Sequence, residues 1–270
     1  MKNVVKKMLL KRRAIIMPLT FAHPAAVIPF CRKSKYINFS AMVLGSMAPD
    51  FEYFLRGQPI GEIGHTFTGF FLLNLPLVVM IYCIYHQIIR LNVVYHLPSF
   101  LQVTSSYKVE GSKKWKTVVF CYSALFGMLT HVVWDSFTHK HGFMVVNFSI
   151  LTNTFNVYGY QIPVYKFLQH GSTLLGISLI IGFMYYRASM NKNKATPKIG
   201  AKKKLYFWAL LFILTLLYVC LWCLIDRVSI SSYGIMVVRI IDSFFGSLLT
   251  ISLVITYHQN KSDDRNINAQ

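Results

Sequence analysis

The sequence predicts an all-α fold: a polytopic transmembrane helical bundle with about five long spans plus one or two short N-terminal membrane-embedded helices. Three observations lead there. Of 270 residues, 54% are hydrophobic, and the mean hydropathy is +0.46. Only 14% are charged, where a soluble domain of this size carries about a quarter. Those charges gather in short stretches between apolar runs, each approaching the about 20 residues that a helix needs to cross a bilayer.

Four of the runs are plain, at 67–89, 117–138, 205–225 and 234–257. A fifth, 167–186, opens with Gln169 and His170 and then turns apolar. Two shorter segments come first, at 20–30 and 37–55. The first holds Pro24 and Pro29 and is too short to span as a straight helix, so it reads as a half-helix or re-entrant piece packed among the others. The expected organisation is a basic extension over 1–16, one membrane-embedded domain over 17–260, and a polar tail over 261–270.

The formal charge is +19, from 28 Lys and Arg against 9 Asp and Glu. A basic excess can serve nucleic acid or a membrane surface. Here the cations flank apolar helices, and no basic stripe with interleaved aromatics lies on a polar segment. The lipid bilayer is therefore the expected partner, with no nucleic acid, in a multi-pass protein of a cell's inner membrane. Arg187, Lys192, Lys194, Lys198 and Lys202 to Lys204 put one loop in the cytoplasm, and Lys108, Lys113, Lys114 and Lys116 put another there. Arg32, Lys33 and Lys35 join them. The segments 51–66, 139–166 and 226–233 then fall on the extracytoplasmic side.

Lys2, Lys6, Lys7, Lys11, Arg12 and Arg13 break this alternation. They read as an interfacial tail, an uncleaved export signal, or the product of a start codon placed upstream of Met17. Pro18 and Pro24 would break the apolar core of a signal, and a start at Met17 is the expectation. The five cysteines are Cys31, Cys83, Cys121, Cys220 and Cys223. Cys220 and Cys223 form a C-x-x-C inside an apolar helix with no second pair, which favours packed or lipid-facing thiols over a redox or zinc site.

With nine acids in the chain, their positions carry information. Asp50 lies in Gly45-Ser46-Met47-Ala48-Pro49-Asp50-Phe51-Glu52, and Asp135 in Thr130-His131-Val132-Val133-Trp134-Asp135. Both sit near the end of an apolar segment, where a carboxylate costs several kcal/mol unless it is paired or metal-bound. His131, Asp135 and His139 are spaced four apart and share one helix face, as two ligands of one ion require. His23 opens the first short segment, and His65 opens the next long one. On the charge-derived topology, His23, Asp50, His65, His131, Asp135 and His139 all map to extracytoplasmic ends. Such an N/O donor set suits one or two divalent ions, zinc or manganese among them. The competing reading is a helix-end Asp acting as a polar anchor and a His facing water. His86 and His96 lie at the other end. His170 lies near the outer face but has no carboxylate at helical spacing. Asp242 reads as a structural or packing group.

The motifs Met17-Pro18, Phe21-Ala22-His23-Pro24-Ala25, Gly45 to Tyr53, Gly64-His65-Thr66, His131 to Asp135, and Leu168-Gln169 with Gly171-Ser172 resemble a family of uncharacterised bacterial membrane proteins. That family is called domain of unknown function 4184, and the resemblance covers about residues 17–260. More loosely, the order of motifs is similar to membrane-bound proteins described as metal-dependent hydrolases. Asp50, His131, Asp135 and Thr138 match that pattern. Glu52 stands where it has a second Asp, and Gly64-His65-Thr66 replaces its Thr-His-Ser order.

The resemblance and the residues together imply a membrane-embedded metal-dependent hydrolase acting on a lipid or lipid-linked phosphoester. Asp50, His65, His131 and Asp135 would ligate, and His23 or His139 would complete the shell. Glu52 would be a catalytic general base or an outer acceptor for a ligating His. The alternative is a non-enzymatic cation-dependent transporter or lipid-binding protein. Against a transporter stand the lack of an internal repeat and a cluster at one face rather than the midplane.

Overall fold

A computed structural model describes residues 20–32, 34–102, 109–190, 199–229 and 232–267, with side chains as far as Lys261. The extension over 1–16, Met17 and several of the loop lysines (Lys33, Lys108, Lys192, Lys194 and Lys198) lie outside the described residues.

The described residues begin with a 3-10 helix, Thr20–Phe30, that contains Pro24 and Pro29. Each proline lacks the N–H an α-helix would use, and its ring clashes with the preceding α-helical turn, which disfavours a straight α-helix here. In a 3-10 helix, residues three apart eclipse, so Thr20 and His23 share a face. The helix α1 (Phe39–Gly45) follows, started by Asn38, whose side chain accepts from the Ala41 N–H at 3.1 Å. Ser46 caps its C-terminus, and a 3-10 turn, Ala48–Asp50, with Pro49 in its first positions, leads into α2 (Phe51–Arg56). Gly57 closes α2 in the left-handed region at φ 60°. The expected segment 37–55 is thus three short pieces.

Among the described residues, five helical stretches are long and apolar enough to cross a membrane: Phe67–His96, Lys113–Asn147, Val164–Met190, Ala201–Asp226 and Tyr233–Lys261. The first, α3 (Phe67–His96), starts at Thr66, whose hydroxyl accepts from the Gly69 N–H at 3.0 Å. It is interrupted by two π-helical turns, Phe70–Asn74 and Tyr85–Ile89. The second comprises α4 (Lys113–Thr138), capped by Ser112, and the short α5 (Phe143–Asn147). Next comes a hairpin the all-α expectation did not include: β1 (Thr154–Val157) pairs antiparallel with β2 (Tyr160–Pro163) around Tyr158 and Gly159, both at positive φ. The remaining spans are α6 (Val164–Met190), α7 (Ala201–Asp226) and α8 (Tyr233–Ile267). Since α8 continues to Ile267, much of the expected polar tail is helical.

Two cores organise the bundle. Ala41, Ala48, Phe51, Val78, Ala124 and Met128 form one, where α1 lies on α4. That contact is close because its residues are small. Gly45 sits on the Ala124 backbone and Gly127 on the backbone of Met42 and Ser46, as in membrane helices that gain by packing backbone against backbone. The second core joins α7 and α8 through Phe207, Leu211, Leu248 and Ile251. Outward faces carry Leu72, Leu174, Leu205, Leu224 and Ile225, all exposed, the side chains a hydrocarbon phase would solvate.

Contacts between helix ends define the two poles of the bundle. At one, the Trp115 indole N–H donates to the Lys35 carbonyl at 2.9 Å, and Lys204 donates to the Leu97 carbonyl at 2.8 Å. His96 belongs here, stacked on Phe207. Toward the other pole, Trp222 packs against Gly57, and Arg239 pairs with Asp226 at 2.6 Å. On α4, His131 lies about 27 Å along the axis from Lys113, at about 1.5 Å per residue. The basic stretches and the histidine-rich region therefore sit at opposite ends.

Candidate metal centre

Four elements converge on one point. The 3-10 helix supplies His23, and the turn before α2 supplies Asp50. The loop before α3 supplies His65, and the last turns of α4 supply His131 and Asp135. A ligand-capable atom from each of Asp50, His65, His131 and Asp135 lies within 4.8 Å of all the others.

The spacings within this group are informative. His65 Nε2 is 3.5 Å from Asp50 Oδ1 and 3.6 Å from Asp135 Oδ2; His131 Nε2 is 3.6 Å and 3.2 Å from the same two atoms. Three of these four exceed a good hydrogen bond. All four surround the edge of a tetrahedron of zinc ligands, about 3.3–3.4 Å for bonds of about 2.0–2.1 Å.

The imidazoles are held in the tautomer a metal needs. His131 Nδ1 is 2.8 Å from the Ser46 carbonyl, and His23 Nδ1 is 3.1 Å from the Thr20 carbonyl. A carbonyl only accepts, so each Nδ1 carries its hydrogen, and a neutral ring then turns a lone pair on Nε2 toward the carboxylates. His131 is fully buried, and its Nε2 makes no well-aligned hydrogen bond, although Asp135 Oδ2 lies 3.2 Å away. A buried polar atom without a partner is costly, and a cation between it and the carboxylates removes the cost.

Asp50 is anchored through its second oxygen, since the Thr20 hydroxyl donates to Oδ2 at 2.6 Å. Asp135 divides its oxygens: Oδ2 faces His65 and His131, while Oδ1 lies 3.1 Å from His23 Nε2 and 3.3 Å from His139 Nδ1. Among the described residues, neither Asp50 nor Asp135 pairs with a lysine or arginine. Side-chain exposure runs from 0% at His131 and 1% at His23 to 14% at Asp135, 28% at His139 and 33% at His65. The cluster is therefore sealed on the side of His23 and His131 and open beside His65 and His139.

Glu52, two residues after Asp50, has both carboxylate oxygens engaged. Its Oε2 accepts the backbone N–H groups of Glu62, Ile63 and Gly64 at 2.9, 3.0 and 2.7 Å, and Oε1 accepts from Arg56 at 3.0 Å. Burial opposes its charge, but the N–H groups of Gly64, Glu62 and Ile63, with Arg56, outweigh it and hold the carboxyl below its ordinary pKa. Glu52 thus pins the loop that presents His65. Asn74 pins it from the other side, donating to the Gly64 carbonyl at 2.7 Å from within a π-helical turn of α3. Such a turn adds a residue and re-aims side chains.

Thr20, the Ser46 carbonyl and Asn74 were not singled out from the sequence. Thr20 carried a signal in its spacing, three residues before His23 on a proline-containing segment. The carbonyl and Asn74 carried none. His170 is exposed and outside the group, and all five cysteines are free.

No curated protein and no solved structure matches the chain. One family model does match, over residues 17–257, taking in every residue of the cluster. The chain belongs to the family described as domain of unknown function (DUF4184).

Proposed function

We propose that this protein is a membrane-embedded metalloprotein that binds a divalent cation, zinc or manganese, through Asp50, His65, His131 and Asp135. We further propose that it hydrolyses a lipid or lipid-linked phosphoester at the extracytoplasmic face. The observation that carries the reading is the buried Nε2 of His131, which makes no well-aligned hydrogen bond and faces two carboxylate oxygens at the spacing of ligands around one ion.

A divalent ion held there supplies Lewis acidity, which lowers the pKa of water and polarises an ester oxygen. The chain's own residues do the rest. Ser46 and Thr20 fix the imidazoles of His131 and His23, and the Thr20 hydroxyl fixes Asp50. Glu52 and Asn74 hold the loop carrying His65. The exposed edge at His65 and His139 is where a headgroup can approach, while the apolar helix faces accommodate acyl or prenyl chains. Outward placement of this end follows from the basic stretches at the opposite pole.

Metal analysis of detergent-purified full-length protein tests the first half. Wild type should retain a divalent ion, Asp135→Asn should lose most of it without unfolding, and Lys140→Ala should keep it. Equal metal in wild type and Asp135→Asn would end the reading. Single-turnover hydrolysis of lipid phosphoesters, with and without chelator, tests the second half. Chelator-sensitive turnover supports the hydrolase, whereas bound metal without turnover favours a cation-dependent transporter or lipid-binding protein.

A further inference from the structure

The four-residue group leaves His23 and His139 unused, yet both reach the same carboxylate. His23 and His131 lie face to face, with ring centroids 3.9 Å apart and planes 16° from parallel. Each donates Nδ1–H to a backbone carbonyl, so their Nε2 atoms point the same way, His131 toward Oδ2 of Asp135 and His23 toward Oδ1. His139 Nδ1 also lies on the Oδ1 side, at 3.3 Å, the same distance as from the Asp135 carbonyl and the Thr138 hydroxyl, and it faces the carboxylate as a ligand only in the tautomer with hydrogen on Nε2. A carboxylate with parallel imidazoles facing its two oxygens has the form of a bridge between two cations. The ring spacing also matches the separation of about 3.5–4 Å between ions in two-metal hydrolytic sites.

We infer that the centre is dinuclear: a second divalent cation binds beside the first, held by His23, His139 and Oδ1 of Asp135, with Asp135 bridging the pair. The inference rests on the metal-binding reading above and extends it. The two positions differ in kind. The first has four protein donors, which closes a tetrahedron, whereas the second has three and keeps a place free, as hydrolytic sites do. The free place lies at the exposed edge beside His139. Two dications against Asp50 and Asp135 leave a net charge of about +2 on a simple count, which a dianionic phosphate monoester balances and a phosphodiester reduces. An anionic phosphoryl group is thus the class of ligand the second ion would take, and its binding and that of the ion should reinforce each other.

Titration of metal-free, full-length protein in detergent with Mn(II), in the presence of inorganic phosphate, tests this through stoichiometry and electron paramagnetic resonance. Wild type should take up two equivalents per chain and show an exchange-coupled spectrum. His139→Ala, at the exposed end of α4, should take up one equivalent and show the spectrum of isolated Mn(II). His23→Gln should do the same and serves if His139→Ala fails to fold. Two coupled equivalents in both variants would overturn the inference. One equivalent in wild type would overturn the dinuclear centre and leave the four-residue site standing. No binding in wild type would remove both.

Discussion

The carbonyl of Ser46, just past the end of α1, accepts a hydrogen bond from Nδ1 of His131 on α4 at 2.8 Å. The bond is possible because Gly127, one turn before His131, lets the α1 backbone come down onto α4. Packing of the short N-terminal helix and orientation of a candidate ligand are one event.

Gly127→Ala should therefore damage both. Its Cβ would meet the Met42 carbonyl and lie 2.7 Å from the Ser46 N–H, backbone atoms that cannot swing aside. Overpacking of this kind costs about 1–3 kcal/mol. Thermal unfolding in detergent should show the loss, and metal affinity should fall with it. Gly182→Ala, where an added Cβ meets nothing within 4 Å, should change neither.

Thr20→Val keeps the shape of the side chain and removes the hydroxyl that donates to Asp50 Oδ2. Loss of such an outer partner costs about 10–100-fold in metal affinity. Competition with a chromophoric chelator should detect that drop, and Thr20→Ser, which restores the donor, should recover most of it.

Glu52→Gln replaces a charged acceptor of three N–H groups with a neutral amide. Hydrogen bonds to a charged group are worth about 1.5–3 kcal/mol each. Amide exchange at Glu62, Ile63 and Gly64 should accelerate by about tenfold or more, and His65 should hold metal less well. Arg56→Ala should do less, because Arg56 is partly exposed and a pair open to water contributes about 0–1 kcal/mol. Unchanged exchange in Glu52→Gln would mean that the loop is held by something else.

The poles of the bundle can be assigned by labelling single cysteines in a cysteine-free background in sealed membranes. Cysteines at Gly111 and Lys202 should react only with reagent inside, and cysteines at Gln58 and Tyr158 only with reagent outside. Inside reactivity at Tyr158 would invert the topology and place the centre at the cytoplasmic face.

The fold class was legible because apolar length is a local property: a run such as 205–225 announces a span whatever lies beside it, and Ala201–Asp226 is that helix. The donors were legible for a similar reason. Acids are so scarce in this chain that Asp50 and Asp135 stand out, and the four-residue spacing puts His131 and Asp135 on one helix face without help from any other segment. The hairpin at 154–163 was less visible, since four-residue strands have too few positions to set a period.

Tertiary structure alone decided which donors come close enough to share an ion and what orients them. Glu52 illustrates this: from the sequence it is one more carboxylate beside Asp50, and only the returning loop, with three N–H groups aimed at Oε2, makes it an anchor for His65. The stacking of His23 on His131 likewise depends on the 3-10 helix lying against α4, and the tautomers of both rings depend on the Thr20 and Ser46 carbonyls. The physical reason is one of range. Hydropathy and helical period act between neighbours in the chain, so the sequence carries them openly. A ligand set is assembled by backbone groups and close approaches between distant segments, which have no residue type of their own to read.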